Sequence, residues 1–331
     1  MKLVSAKGPG ARRGSLIGEQ MRESLPRAWQ RWSENFATSG HDPEQLARQL
    51  ADAPGWDACE RFVPDLVDEL QSTAKAAGMP WHQVAALSML DEVWALTGGM
   101  ACTAIAVTRD GQRAAGQNMD LELWTDTLQT VFQVRDHHGL GVVAATYPGS
   151  LATCGMNSNG VVVVVNALDL VTDPAGVMVD MVVRGALHQP SARDAIDFVR
   201  SVPHASGQTY TIVDAHELYM VEADATGVID VPEVDPLVAL HTNHSFTREH
   251  PVSVSSRTRY DAITATRDNI HSAKDIREAL TNMDTGVCQR AGRFTPGMFT
   301  FMGIVGDCLA RRVWVNVSPA TGGGFTEVAF L

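Results

Sequence analysis

Apolar residues recur at helical spacing through the first third of the chain. In "SLIGEQMRESLPRAWQRWSENFA" they return every three or four positions, with Pro26 as a kink or break because proline has no N–H to donate to the preceding turn. "PDLVDELQSTAKAAG" repeats the pattern and stops at the glycine expected just past a helix. "PWHQVAALSMLDEVWALTGG" starts on a proline, tolerated in a first turn, and also stops at glycine. The spacing predicts helices over the first hundred residues.

At Cys102 the period changes. "CTAIAVTRDGQRAAGQNMD" is two apolar runs around Asp110-Gly111, a strong hairpin signal. "LQTVFQVRD", "GLGVVAATY", "GVVVVVNAL", "QTYTIVDA" and "ELYMVEAD" continue as strands with tight turns. Helices return in "GVMVDMVVRGALHQ", in "SARDAIDFVRSV" with Ser191 as N-cap, and in "SSRTRYDAITATRDNIHSAKDIREALTNM". "FTFMGIVGD", "RRVWVNV" and "FTEVAFL" close the chain as strands. Two groups of hairpin-linked strands predict an α+β protein with two stacked antiparallel sheets and helices outside. No repeat, low-complexity tract or linker interrupts this order.

The 331 residues suit two average domains or one large layered one. A net charge of −12 with scattered basic residues would repel a phosphate backbone, so no nucleic-acid partner is expected. The N-terminus lacks a signal-peptide core, and the longest apolar run, "GVVVVVNAL", is strand length. A cytoplasmic protein with no membrane partner is expected. Five widely spaced cysteines, Cys59, Cys102, Cys154, Cys288 and Cys308, without a C-x-x-C, fit neither a disulfide framework nor a cysteine zinc site.

Individual residues offer several chemistries. His241 and His244 in "HTNH" lack a third partner for catalytic zinc and read as turn or surface histidines, as do His137 and His138. The glycines of "GPGARRG" and "GGGF" read as turns, since neither run follows a strand and opens a helix. There is no G-x-S-x-G elbow. Asp120 and Glu122 read as a solvated face. Taken alone, Cys102 is an inert core thiol.

Its surroundings change that reading. "CTAIAV" followed by "GQNMD" resembles the penicillin acyltransferase-like (acyl-coenzyme A:6-aminopenicillanic acid acyltransferase) family of cysteine N-terminal nucleophile (Ntn) hydrolases. In that family a cysteine heads a strand and a Gly-Gln-Asn-aromatic-Asp motif returns beside it. "CGMNSNGVVVVVNAL", "ASGQTYTIVDAHELYMVEAD", "LHTNHSF" and "SSRTRYDAI" match further family segments in the same order. Ala101 stands where glycine is common, Met119 replaces the aromatic, and in "VCQRAGR" Gln289 stands where an arginine is expected, next to Arg290.

The resemblance implies a four-layer αββα sandwich, the Ntn-hydrolase fold, with a helical N-terminal segment. It implies self-cleavage between Ala101 and Cys102, giving a helical fragment 1–101 and a core 102–331 that stay together as one domain. It implies a cysteine amidohydrolase or acyltransferase that works through a thioester, needs no cofactor, and acts on a small acylated amine or amide. Cys102 would be the nucleophile, Asp120 would hold its freed ammonium group, and Asn243 would stabilise the oxyanion. Ser206, Glu222 and Arg290 would serve substrate binding or processing, although a strand-end glutamate is usually solvated and Ser206 also reads as an ordinary turn serine. The competing expectation is an uncleaved, non-catalytic or metal-binding protein on the same fold, with Cys102 merely buried.

Overall fold

The computed structural model describes residues 2–97, 100–232, 234–290 and 297–331. The glycines predicted to stop the last N-terminal helix, Gly98 and Gly99, lie outside them. The chain begins with a strand that the helical pattern of its neighbours concealed. β1 (Lys2–Lys7) pairs in parallel with β4 (Thr130–Arg135), from Lys2 opposite Thr130 to Lys7 opposite Arg135. The expectation of a purely helical N-terminal segment is therefore corrected. Six residues are too few to show a clear period, and their partner is remote in sequence.

Seven helices follow: α1 (Gly10–Gln20), α2 (Ser24–Thr38), α3 (Pro43–Ala51), α4 (Gly55–Phe62), α5 (Pro64–Ala77), α6 (Trp81–Ser88) and α7 (Leu90–Thr97). Pro26 sits in the first turn of α2, so the break falls just before it. Gly78 ends α5 at φ +74°, a left-handed conformation that favours glycine.

Gly8 of "GPGARRG" does sit in a bend, at φ +113°, but Gly10 and Gly14, also read there as turn residues, lie in α1 together with Gly18. Spaced by four, they line one face of α1, which lies against α5. A Cβ at these positions would fall 1.8, 2.0 and 2.4 Å from the carbonyl oxygens of Asp65, Glu69 and Thr73. Only glycine lets the two backbones meet. The buried Arg13 locks the pair, with Nε 2.5 Å from Glu69 and Nη2 2.7 Å from Asp65.

β2 (Met100–Val107) and β3 (Ala114–Glu122) form the expected hairpin, with Asp110 and Gly111 both at positive φ, +54° and +72°. β4, β5 (Gly141–Thr146), β6 (Cys154–Asn157) and β7 (Val162–Ala167) come next, then α8 (Val179–Leu187) and α9 (Ala192–Ser201). Ser191 caps α9 through the Asp194 N–H. β8 (Gln208–Val213), β9 (Leu218–Asp224), β10 (Gly227–Asp230) and β11 (Val238–His241) precede α10 (Val254–Ala265) and α11 (Ala273–Thr281). The described chain ends with β12 (Met298–Asp307), β13 (Arg312–Asn316) and β14 (Thr326–Val328).

The strands make an eight-stranded sheet, β1-β4-β5-β6-β7-β8-β9-β10, and a six-stranded sheet, β11-β2-β3-β12-β13-β14. α8 and α9 cover the first sheet, while α10 and α11 cover the second. The layers therefore run helix, sheet, sheet, helix, as expected. Strand alternation sorts β2 between two cores. Cys102, Ala104 and Ala106 face the opposite sheet, whereas Ile105 and Val107 pack with Ile263, Ile276 and Leu280 of α10 and α11.

The α1–α5 contact leaves no room for a side chain. Gly14→Val should lower stability by at least about 3 kcal/mol through forced overpacking, read from chemical or thermal unfolding. Ser15→Ala, on the exposed side of the same helix, should stay within about 0.5 kcal/mol of the parent.

Candidate active site

Cys102 lies in β2, next to the edge strand β11 of the six-stranded sheet, and is 2% exposed. Burial raises its thiol well above the ordinary range; the Asp120 charge adds to this, and Arg259 opposes it. The Cys102 main-chain N–H donates to Asn243 Oδ1 at 2.9 Å. Asn243 follows β11 in the loop, and its Nδ2 donates to the Ala167 carbonyl at 2.9 Å, at the end of β7. This one side chain spans from β2 to the opposite sheet.

Arg259 completes the arrangement. Projecting from α10 and fully buried, it donates to the Cys102 carbonyl, to Thr103 Oγ1 at 2.9 Å and to Asn243 Oδ1 at 2.7 Å. Sequence reasoning quoted this arginine within "SSRTRYDAI" without giving it a place in the site. "RTR" offers two arginines, Arg257 and Arg259, and composition does not say which one turns inward. Helical spacing was the available signal: Arg259 lies four residues before the buried Ile263 and three after the buried Ser256.

Asp120 is the β3 register partner of Ala101, and Met119 that of Cys102. The expectation of a solvated face is corrected, because Asp120 is wholly buried. It accepts hydrogen bonds from Gln289 Nε2 at 2.8 Å and Thr300 Oγ1 at 2.6 Å. Burial raises its pKa, opposed by the Arg259 charge and these two donors. Gln289 thus meets Asp120 directly, while Arg290 is exposed and donates to Met283 Sδ. Glu122 is engaged as well, accepting the indole N–H groups of Trp94 and Trp124 at 2.9 and 2.7 Å.

Glu222 reverses its expected solvation. It is buried and accepts from Ser245 Oγ, the Phe246 and Thr247 main-chain N–H groups and Thr247 Oγ1, at 2.5–3.2 Å. Burial pushes its pKa up, yet His241 and these donors outweigh that and hold it at about 2. It pins the loop that begins at Asn243, so it touches the site through that loop. His241 and His244 are buried rather than superficial. His241 reaches Thr209 at 3.0 Å, and His244 reaches Ser256 at 2.9 Å. Among the described residues no group of three or more His, Cys, Asp or Glu could hold a metal ion. Ser206 is buried with its hydroxyl unpartnered among the described residues.

Beside Asn243 opens a cleft of about 290 Å³. Trp94, Leu96 and Met100 line it from before Cys102 in sequence; Leu168, Asn243 and Ser253 line it from after. Behind α7, Asp91, Glu92 and Asp180 form a buried acidic group with no cation in contact among the described residues. Burial and mutual repulsion raise Asp91 to about 7, and burial raises Asp180 to about 6.

A family model described as acyl-coenzyme A:6-aminopenicillanic acid acyl-transferase matches residues 107–318, more than half of the chain. The chain belongs to this family. Membership places it among the Ntn amidohydrolases and acyltransferases, although the match begins just after Cys102 and does not itself cover the thiol. No curated protein sequence matches. Among solved structures, a variant of conjugated bile acid hydrolase from Clostridium perfringens aligns at 12% identity and TM-score 0.50, covering 69% of this chain and 92% of that one. An ortholog of N-acylethanolamine-hydrolyzing acid amidase from Caenorhabditis elegans aligns at 15% and 0.46, covering 67% and 94%. Penicillin V acylase from Agrobacterium tumefaciens aligns at 15% and 0.45, covering 66% and 83%. The fold of this family member is that of the Ntn hydrolases. No helix among its described residues is long and apolar enough to cross a membrane.

Two pH dependences follow. Because the fold holds Glu222 at about 2, below its ordinary 4.5, the stability it adds is complete above 4.5 and disappears as pH falls toward 2. Glu222→Gln should melt below the parent at pH 7, and the gap in Tm should close on acidification. Asp91 has the opposite sign. Raised from 3.8 to about 7, it costs stability progressively as pH rises through that window. Asp91→Asn should match the parent near pH 4 and melt above it at pH 8.

Proposed function

We propose that Cys102 becomes the N-terminal nucleophile of an amidohydrolase or acyltransferase after the Ala101–Cys102 bond is cut. One observation carries the proposal: Asn243 and Arg259 already grip the main-chain nitrogen and carbonyl of Cys102. β11 pairs with β2 only as far as His241 opposite Ala104, so at Cys102 polar side chains, not a neighbouring strand, hold the backbone on that side.

In the uncut chain Sγ attacks the Ala101 carbonyl carbon. The carbon–nitrogen bond breaks, the thiol proton passes to the departing nitrogen, and a thioester remains. Amide resonance makes this shift uphill, so an oriented site must offset it. Water then opens the thioester to an Ala101 carboxylate and a free Cys102 thiol. The two pieces are 1–101 and 102–331. They remain one domain because β1, from the first piece, stays paired with β4 of the second.

The new amino group has an ordinary pKa of about 7.7–8.0, so a useful fraction is unprotonated near neutrality and serves as base to its own thiol. Cutting the bond frees the Cys102 amino group next to the pair of Ala101 and Asp120, where Asp120 holds the ammonium form. Asn243 Nδ2 supplies an oxyanion donor, a contribution of about 2.7–4 kcal/mol to the barrier in comparable sites. A small acylated amine enters from the cleft, its acyl group passes to Sγ, and its amine leaves with a proton. Water or a second amine completes turnover.

Intact-mass analysis of the purified protein should give two fragments meeting between Ala101 and Cys102. Cys102→Ala should give one uncut mass and no turnover of acyl-amine substrates. An uncut parent that turns substrate over would overturn the proposal.

A further inference from the structure

The space between the sheets holds two buried amides whose hydrogen-bonding capacity is mostly unspent. Gln117, two residues from Met119 on β3, is the diagonal neighbour of Cys102 and shares its inward face. Its Oε1 accepts the Val165 N–H at 2.6 Å, which fixes the amide and leaves Nε2 without a partner among the described residues. Asn166, next along β7, pairs in register with Thr209, whose hydroxyl reaches His241 of the other sheet. Asn166 therefore also faces inward, and neither its Nδ2 nor its Oδ1 has a partner among the described residues. Both side chains are completely buried.

Three unpartnered polar atoms in one interior place are costly, because each lost pairing forfeits the hydration of that group. A core serving only packing would carry apolar residues here, as the flanking Val162, Val163 and Val164 do. We propose that Gln117 and Asn166 form a specificity site for a hydrogen-bond acceptor within the acyl group, an ether or hydroxyl oxygen a few atoms from the scissile carbonyl. The inference rests on Cys102 being the nucleophile. In the thioester the acyl group hangs from Sγ, which faces inward, while the amine departs toward the cleft at Asn243. Groups one long side chain from Cys102 on that inward face can touch only the first few acyl atoms. They present N–H donors, so they select an oxygen over a methylene of the same size.

The test uses amides of one amine with three acyl groups of equal length: heptanoyl, butoxyacetyl and 3-propoxypropanoyl. Each kcat/KM is divided by that amide's alkaline hydrolysis rate, which removes the inductive effect of the ether. The parent should favour at least one ether over heptanoyl by about tenfold or more, since a site with buried donors rejects a ligand that leaves them unpaired. Gln117→Met should bring that ratio to within about twofold of one. Parity in the parent would mean that the two amides hold a buried water only, and would overturn the inference while leaving the nucleophile standing. The same holds if the ether preference survives unchanged in Gln117→Met. No turnover of any amide by a chain that stays uncut would overturn the proposed function and this inference with it. The comparison within the parent needs no variant to fold.

Discussion

A single buried guanidinium ties together the segments on which the site depends. Arg259 reaches from the outer helix layer to β2 of the six-stranded sheet and to the loop bearing Asn243. Its direct partners are neutral oxygens, and Asp120 supplies the compensating charge. A buried cation is tolerable only when such partners are all present, and removing one typically costs about 3–5 kcal/mol. The interaction therefore imposes a condition on the whole fold. β2, the loop after β11 and helix α10 must be placed together, or the charge is stranded. Mutual dependence of this kind fixes the Cys102 backbone more tightly than strand pairing could.

A second layer of support lies behind the first. Glu222 pins the loop after Asn243 through Ser245, Phe246 and Thr247, while Gln289 and Thr300 hold Asp120. Charge-assisted hydrogen bonds of this sort are short and directional, so they orient as well as stabilise. The carboxylates differ in outcome because their company differs. Glu222 collects enough donors to stay ionised in the interior. Asp91 has one donor, Tyr147, and the Asp180 charge beside it, so burial carries its pKa up to about 7; Asp180, with several donors, is raised by burial only to about 6.

Much of this was legible in the sequence, and the gaps have physical causes. The hairpin around Asp110-Gly111, the valine-rich β7 and the capped helices follow from local rules of period and turn chemistry. β1 did not, because its evidence lies in a partner strand far along the chain. The α1 glycines were misread as turns because their role is a tertiary contact with α5, invisible to local propensity. Buried polar residues were the weakest point: Asp120, Glu222 and His241 look solvated to any rule based on residue type. Only their partners reveal otherwise, and those partners come from other strands and loops. Cys102, Asp120 and Asn243 were found through ordered motifs rather than through periodicity, and the structure places the first and last in direct contact.

The N-terminal helices belong to this same argument. Their glycine-lined face and Arg13 network bind them to each other, yet several of their groups end in the core that follows Cys102. Trp94 donates to Glu122, Glu92 accepts the Val179 N–H, and Asp91 accepts the Tyr147 hydroxyl. Trp94 and Leu96 also form one wall of the cleft. A segment so joined cannot be a propeptide in the sense of a part to be discarded. If the bond before Cys102 is cut, the wall stays, and what changes is local: one amide becomes an amine and a carboxylate beside Asp120. The buried acidic group under α7 then sets how firmly that wall is held, because those carboxyl groups meet the core without a compensating cation in contact among the described residues.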